Sequence, residues 1–350
     1  MSGMAEAMNN SHEKLIVLAD GNIHPDDKKK SYQIIRFNAW KPIRRIQKAI
    51  YLKNICKKNK VKAIFTDSWK SAEYLGSIKE KILVLAHGTE IQKDTYKVNL
   101  RKIIRQKRIL SSYNNAYKII ANSSYTKELI LSSLNINENK VVIIHPGIDV
   151  YKEFITESVR TKILKLIEKS YPVIITLARL EKRKGHKFVL NAIDTLKKKF
   201  PDLLYIIAGE GPYKKEIYKH AKELGIVEKI LFLGWISEPE KSVLLKNSQL
   251  FIMTPTIEGE SVEGFGMSFI DAGFHGLATI GTDSGGINDA IINEKTGLIC
   301  NENDQEDITE KIEYLLSNDS LRKQYGDNGY AYALSQFTWP KKIKEYLSII

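Results

Sequence analysis

The chain has 350 residues, of which 43% are hydrophobic, enough for two domains that each have a core. Its net charge of +13 is uneven, since residues 1–170 carry +16 and residues 171–350 carry −3. No apolar run reaches the roughly 18 residues of a membrane span, and the two cysteines lack the CxxC spacing of a zinc site or a disulfide framework. Residues 1–14 have no apolar signal-peptide core and are interpreted as a disordered leader or one left over from cloning, and the cytoplasm is the default compartment.

Short apolar runs alternate with helical patterns through the first half of the chain. Such an alternation predicts a parallel α/β sheet, whose ligands bind beyond the carboxyl ends of the strands. The predicted strands are 15–19, 33–37, 63–67, 82–86, 118–121 and 141–145. Gly21 follows the first strand, and His87 and Gly88 follow the fourth. A lone histidine is more often structural than chemical, but a histidine at a strand end before a glycine favours a site.

The second half repeats this pattern, with predicted strands at 173–178, 203–207, 230–233 and 250–253. Arg179 and Lys184 follow the first of these strands, and Trp235 and Ile236 follow the third. A charge run is usually a solvated face. At a strand end, however, the planar guanidinium of an arginine and the ammonium of a lysine suit a diphosphate, which carries about two to three negative charges.

The stretch 258–286 organises the C-terminal half. It reads as an acidic, glycine-rich loop, a helix from Met267, a strand and a second glycine loop at 283–286. A helix that starts behind a glycine loop is an anion site. On one continuous helix Glu263 and Asp271 would diverge by about 80°, so both can face one cleft only if Glu263 lies on the loop. The plainer alternative is a solvated acidic turn.

These residues resemble a known family. Glu263-Gly-Phe-Gly, Asp271 and the Asp283-Ser-Gly-Gly loop resemble the Glu-x7-Glu signature of the retaining, nucleotide-sugar-dependent glycosyltransferases of family 4. The resemblance implies the GT-B fold, two Rossmann-like domains whose parallel sheets face a central cleft. We expect an N-terminal acceptor domain at 15–165, a nucleotide-sugar domain at 166–336 and a final helix at 337–350 that crosses back to the first domain.

The resemblance also implies a role for each matching residue, with His87 and Glu263 as the catalytic candidates. The donor diphosphate would lie against Arg179, Lys184, Phe265, Gly266 and Met267. The nucleoside would lie against Trp235, Ile236 and Asp271. The acceptor side would include Gly21, His87 and Gly88. The sequence departs from the family at Asp271, where a glutamate is usual, and the shorter side chain puts a direct ribose contact in doubt.

Two segments hold most of the positive charge, 41–62 and 97–118. Both have apolar residues at helical spacing with cations between them, a pattern that suits the surface of an anionic bilayer. The alternative is an ordinary pair of surface helices. Nucleic acid is not expected as a partner, because no binding motif accompanies the charge.

The sequence therefore predicts a hexosyltransferase that uses a UDP-sugar or GDP-sugar and no obligatory metal. The acceptor would be a lipid-linked or cell-surface glycan, as in lipopolysaccharide, capsule or glycolipid synthesis, and the enzyme could lie on the inner face of the cytoplasmic membrane. Two other classes stay open, a nucleotide-sugar epimerase of GT-B fold and a non-catalytic sugar-nucleotide binder.

Overall fold

The computed structural model describes residues 2–11, 13–91, 100–149, 155–259 and 261–350. They divide into two compact units, Met1–Asp149 with Thr338–Ile350, and Val150–Phe337. All paired strands in both units are parallel. The predicted α/β class with parallel sheets is confirmed.

The N-terminal unit contains a parallel strand pair and a four-stranded sheet. β1 pairs with β2, and β3 to β6 lie side by side in chain order. The elements are α1 (Ser2–Asn10), β1 (Ile16–Asp20), β2 (Gln33–Phe37), α2 (Lys41–Lys58), β3 (Ala63–Thr66), α3 (Trp69–Ala72), β4 (Lys81–Ala86), α4 (Leu100–Asn114), β5 (Lys118–Ala121), α5 (Ser124–Ser133) and β6 (Val141–Ile143).

The C-terminal unit is built on a six-stranded sheet. Its elements are α6 (Glu157–Ile167), β7 (Val173–Leu177), α7 (His186–Leu196), β8 (Leu204–Ala208), α8 (Lys214–Glu223), β9 (Ile230–Gly234), α9 (Glu238–Asn247), β10 (Leu250–Ile252), α10 (Met267–Phe274), β11 (Thr279–Thr282), α11 (Ile287–Ala290), β12 (Gly297–Cys300), α12 (Gln305–Leu316) and α13 (Asp319–Gln336). The strand order is β12-β11-β10-β7-β8-β9. The central strands are buried apolar runs, as expected where helices cover both faces of a parallel sheet.

The last helix, α14 (Trp339–Ser348), belongs to the N-terminal unit. Its first residue, Trp339, donates its N–H to the Ile148 carbonyl oxygen at 3.3 Å, and a Cβ on Gly147 would overlap the Trp339 ring. Ile343 and Tyr346 are buried in the apolar core of this unit. These contacts are the reason that α14 belongs to the N-terminal unit, although it lies at the other end of the sequence.

Two expectations about domain organisation need correction. Residues 2–10 form helix α1 and not a disordered leader, because Met4 and Met8 lie one helical turn apart on α1 and are buried with the α14 residue Ile343. The unit boundary falls at residue 150 and not at 166, because α6 packs on α9 of the C-terminal unit.

Candidate functional site

The winding of the C-terminal sheet places two loops next to each other. From β7 the chain winds outward through β8 to β9, and it then returns to begin β10 on the other side of β7. Ligands of such sheets bind outside the carboxyl ends of the strands at this switch point. The loops after β7 and β10 are those that hold Lys184 and Glu263.

The loop after β7, residues 179–185, is called the cation loop below. It contains one 3-10 turn, Lys182–Lys184, which is followed by Gly185 at φ +74°. A Cβ on Gly185 would overlap the carbonyl oxygen of Thr254, whose Oγ1 donates to the Gly185 carbonyl at 2.9 Å. The Thr256 N–H donates to the Arg183 carbonyl at 2.7 Å. These contacts fix the cation loop against the segment after β10.

The 3-10 turn directs Lys182 away from the other two cations, since each step of such a turn rotates the side chain by about 120°. Lys182 is exposed and lies 3.0 Å from Glu258. Lys184 is only 9% exposed, and its ammonium is paired with Oε2 of Glu263. Arg183 Nη1 donates to the same oxygen at 3.0 Å. The structure therefore brings the predicted site residues Lys184 and Glu263 together and adds Arg183 to them.

Arg179, the predicted phosphate fork, pairs with Glu181 rather than with Glu263. Its side chain is 71% exposed, and its Nε is 3.3 Å from Oε1 of Glu181. The second oxygen of Glu181 accepts from Arg183 Nε at 2.9 Å. Glu181 thus separates Arg179 from the Glu263 cluster, and neither Glu181 nor Arg183 stood out in the sequence.

Glu263 lies on the loop before α10 and not on the helix. This is the position that Glu263 needs if it and Asp271 are to face one cleft. Its carbonyl oxygen accepts from the Gly286 N–H at 2.9 Å. A Cβ on Gly285, which has φ +65°, would overlap that oxygen. The second glycine loop therefore supports the backbone of Glu263. Glu260, in the same acidic stretch, lies outside the described residues.

The start of α10 faces the same switch point. Gly266 takes φ +91° just before the helix, and Phe265 is buried. Ser268 in the first turn donates its Oγ to the carbonyl of Leu177, the last residue of β7, at 2.8 Å. The N–H groups at the start of α10, from Met267, lie at the positive end of the helix dipole.

Asp271, one turn into α10, is engaged with α9. Its carboxylate lies 3.4 Å from Nζ of Lys241, which is also 2.6 Å from Glu238. Burial raises the pKa of Asp271, and the Lys241 ammonium opposes this rise. His275 donates from Nδ1 to the Asp271 carbonyl at 2.7 Å, and its Nε2 is 3.1 Å from Ser242 Oγ.

The other predicted nucleoside residues follow β9 at the same edge of the sheet. Gly234 has φ +67°, and its carbonyl accepts from the Gly209 N–H at 2.7 Å. The next residue, Trp235, is 80% exposed, and Ile236 is half-buried. An exposed indole beyond a strand end can supply a flat apolar surface to a ring.

The predicted acceptor residues belong to the N-terminal unit. His87 follows β4, and its Nε2 lies 3.0 Å from the Asp67 carbonyl oxygen. Because a carbonyl can only accept, Nε2 carries the hydrogen, and in the neutral ring Nδ1 keeps a lone pair. Gly88 at φ +87° lies against Thr126, and Gly21 at φ +91° follows β1.

Two family models match the chain between residues 4 and 332. The model described as Glycosyltransferase Family 4 matches residues 4–152, and the model described as Glycosyl transferases group 1 matches residues 160–332.

Curated and solved proteins resemble the chain over different lengths. A GDP-mannose-dependent alpha-(1-6)-phosphatidylinositol monomannoside mannosyltransferase from Mycolicibacterium smegmatis is 29% identical over 48% of this chain and 44% of that protein. The first curated relatives are matched over only 44% to 59% of their own length.

Two solved structures show the fold along nearly the whole chain. A glycosyltransferase from Rickettsia africae ESF-5 has a TM-score of 0.79 at 21% identity and covers 99% of this chain and 92% of its own. HepE from Anabaena in complex with UDP has a TM-score of 0.76 at 16% identity, with 96% and 100% covered. The predicted GT-B fold is thereby confirmed, and the two matching family models, which together cover most of the chain, both describe glycosyltransferases.

Proposed function

We propose that this enzyme transfers a hexose from a nucleoside diphosphate sugar to an acceptor hydroxyl with retention of the anomeric configuration. One observation carries the proposal. At the switch point of the C-terminal sheet, buried Lys184 and Glu263 lie together beside the positive start of α10. A cation and a helix start suit an anion, and a carboxylate suits sugar hydroxyls.

Breaking the anomeric bond places negative charge on the departing diphosphate. In our proposal Lys184, Arg179 and the backbone N–H groups of Phe265, Gly266 and Met267 stabilise that charge. Fixed donors in a site of low polarity are the most effective way to lower such a barrier. Glu263 accepts hydrogen bonds from hydroxyls of the transferred sugar, and Trp235, Ile236 and Asp271 flank the nucleoside.

On the acceptor side, His87 would receive the hydrogen bond of the attacking hydroxyl at Nδ1. The bond from Nε2 to Asp67 fixes the orientation of the ring, which supports this assignment. Gly21 and Gly88 would lie on the acceptor side, with open space beside Gly21. We assign no covalent nucleophile.

The donor would be a GDP-sugar or a UDP-sugar. Support comes from the named GDP-mannose-dependent relative and from the UDP complex of HepE. No metal ion is required in this proposal, because Lys184 and the α10 start supply the positive charge. Activity that survives a chelator supports this part, and activity lost with the chelator and restored by a divalent cation contradicts it.

The experiment for the whole proposal is product analysis with a panel of UDP- and GDP-sugars and glycan or glycolipid acceptors. Transfer to acceptor with the anomeric configuration of the donor is expected, and NMR of the product reads the configuration. An epimerase of the same fold predicts instead a new nucleotide sugar in reactions that contain no acceptor.

We also propose that the N-terminal unit contacts an anionic lipid surface. The structure places Arg44 and Lys48 on Asp20 and Arg45 on Glu73, so these predicted cations of α2 are compensated within the protein. The exposed part of α2 carries an apolar stripe, with cations beside it, that suits the bilayer interface. The large apolar residues of this stripe are Trp40, Ile43, Ile46 and Ile50.

Liposome co-sedimentation tests the lipid proposal. Lys53 and Lys57 lie beside the stripe, and each cation near an anionic surface contributes about 1 kcal/mol. We expect binding to anionic vesicles that falls about 25-fold when both lysines become glutamine. Equal binding to neutral and anionic vesicles, or none, contradicts it. Among the described helices, none has the length and apolar character that crossing a bilayer needs.

A further inference from the structure

Arg183 differs from Lys182 and Lys184 in the partners of its N–H groups. Its Nε donates to Glu181 at 2.9 Å and its Nη1 to Glu263 at 3.0 Å, so two edges of one planar group join two carboxylates. Its side chain is mostly buried. A planar fork that is already bound on two edges has little freedom to turn toward another ligand.

Lys184 is placed differently, although it shares the Glu263 oxygen. An ammonium group has three hydrogens, and among the residues that the structure describes that of Lys184 has one carboxylate partner. The remaining hydrogens can bind phosphate oxygens while the contact with Glu263 persists. Lys182 is turned outward to Glu258.

The carboxylate of Glu263 needs a side-chain partner that fixes its orientation. Its backbone is held by Gly286, but Gly264 and Gly266 flank it on the side of the helix. A carboxylate beside a departing diphosphate is also repelled by it. A guanidinium on the same carboxylate opposes that repulsion and fixes the rotamer, as supporting hydrogen bonds do for other reactive groups.

We propose that Arg183 is a positioning residue that orients Glu263 toward the transferred sugar, whereas Lys184 is the member of the 182–184 turn that binds the diphosphate. This inference rests on the proposed transferase function and deepens it. It predicts that Arg183 changes the rate of transfer and Lys184 changes the affinity for nucleotide.

The test uses Arg183→Lys, which keeps the charge and removes the two-edged fork. For this variant we expect kcat to fall roughly 10- to 100-fold, the loss of a hydrogen bond to a charged group, while the dissociation constants of UDP and GDP change less than about threefold. Lys184→Gln should weaken nucleotide binding about tenfold or more. Lys182→Gln is the matched control from the same turn and should change neither quantity.

A double variant separates positioning from general damage. If Arg183 acts through Glu263, Arg183→Lys combined with Glu263→Gln is no slower than Glu263→Gln alone. Multiplied losses overturn the inference, as does an Arg183→Lys variant that keeps full kcat or loses nucleotide as Lys184→Gln does. Arg183→Gln replaces Arg183→Lys if thermal unfolding shows that the latter is not folded.

The same data distinguish this inference from the proposed function. A wild-type protein that neither binds a nucleoside diphosphate nor transfers sugar contradicts both. A wild-type protein that does both, with variants that show no separation of rate from affinity, contradicts the role of Arg183 alone.

Discussion

His186, the residue after the cation loop, is a buried imidazole within the core of the C-terminal unit. Its Nδ1 is 2.9 Å from the Tyr205 hydroxyl, which is 2.8 Å from Thr176 Oγ1. Burial, followed by the nearby charge of Lys184, lowers the pKa of His186 to about 3. The residue is therefore neutral in the folded protein at any pH where the enzyme would work.

This burial predicts acid sensitivity. Between about pH 6.5 and pH 3 the unfolded chain binds a proton at His186 that the folded chain does not, so stability falls as the pH falls through this window. The free energy of unfolding should fall by about 1.4 kcal/mol per pH unit within this window, and above about pH 6.5 His186 should add no pH dependence. Denaturant unfolding at several pH values measures the slope. His186→Asn should flatten it, and an unchanged slope contradicts the assignment.

At the scale of single residues, the sequence did not show which of the cations after β7 contacts Glu263. A strand end followed by Arg179 and Lys184 predicted a basic loop at the sheet edge. Which side chain reaches Glu263 depends on the 3-10 turn and on Gly185 against Thr254, a contact between segments about 70 residues apart. Local pattern carries no information about such a contact.

At the scale of elements, the second glycine loop supports the backbone of Glu263. Alanine substitutions at two glycines with the same φ test this role. Gly285 and Gly225 both have φ +65°, but a Cβ on Gly285 overlaps the Glu263 carbonyl, whereas a Cβ on Gly225 meets nothing within 4 Å. Gly225→Ala should cost about 1 kcal/mol of unfolding free energy from backbone strain alone. Gly285→Ala should cost about 3 kcal/mol and also lower kcat. Similar effects of the two variants on stability and on kcat would contradict this role.

The pair of Asp271 and Lys241 joins α10 to α9. Both side chains are largely buried, so we expect Asp271→Asn and Lys241→Gln each to cost about 1–2 kcal/mol. The double variant should cost no more than about the larger single effect, because the two changes remove one interaction. Urea unfolding of the four proteins measures the coupling. Strictly additive losses would show that the contact contributes nothing.

Asp271→Glu tests the position at which the sequence has an aspartate and the resembled family usually has a glutamate. With one more methylene the carboxylate can reach a ribose hydroxyl, so a gain in nucleotide affinity is expected if the natural aspartate falls short of it. A loss of affinity would show that the site is built for the shorter acid. Calorimetric titration with UDP and GDP decides.

For the molecule as a whole, the positions of most strands could be predicted, because each is a short apolar run that ends near a glycine or a polar residue. Strand β12 (Gly297–Cys300) was not predicted. The predicted runs 33–37 and 118–121 coincide with β2 and β5, and the others differ by a residue or two. The unit boundary and the N-terminal helix could not be predicted. Met4 and Met8 are buried only because α14, from the other end of the chain, packs against them.

The two cores should respond separately to loss of a buried side chain. Ile343 on α14 lies in the N-terminal core and Ile308 on α12 in the C-terminal core, and both are fully buried. Changing either to alanine should cost about 2–5 kcal/mol. Hydrogen exchange should then speed up in β4 for Ile343→Ala and in β8 for Ile308→Ala. Exchange that speeds up in the opposite unit would contradict the division of the chain.

The proposed function depends on a nucleoside diphosphate held by Lys184 of the cation loop and the start of α10. Calorimetric titration of UDP and GDP into wild-type protein and Lys184→Gln tests it most directly. We expect saturable binding of one or both nucleotides that weakens about tenfold or more in the variant, with both proteins equally folded. Wild-type affinity in Lys184→Gln would contradict it.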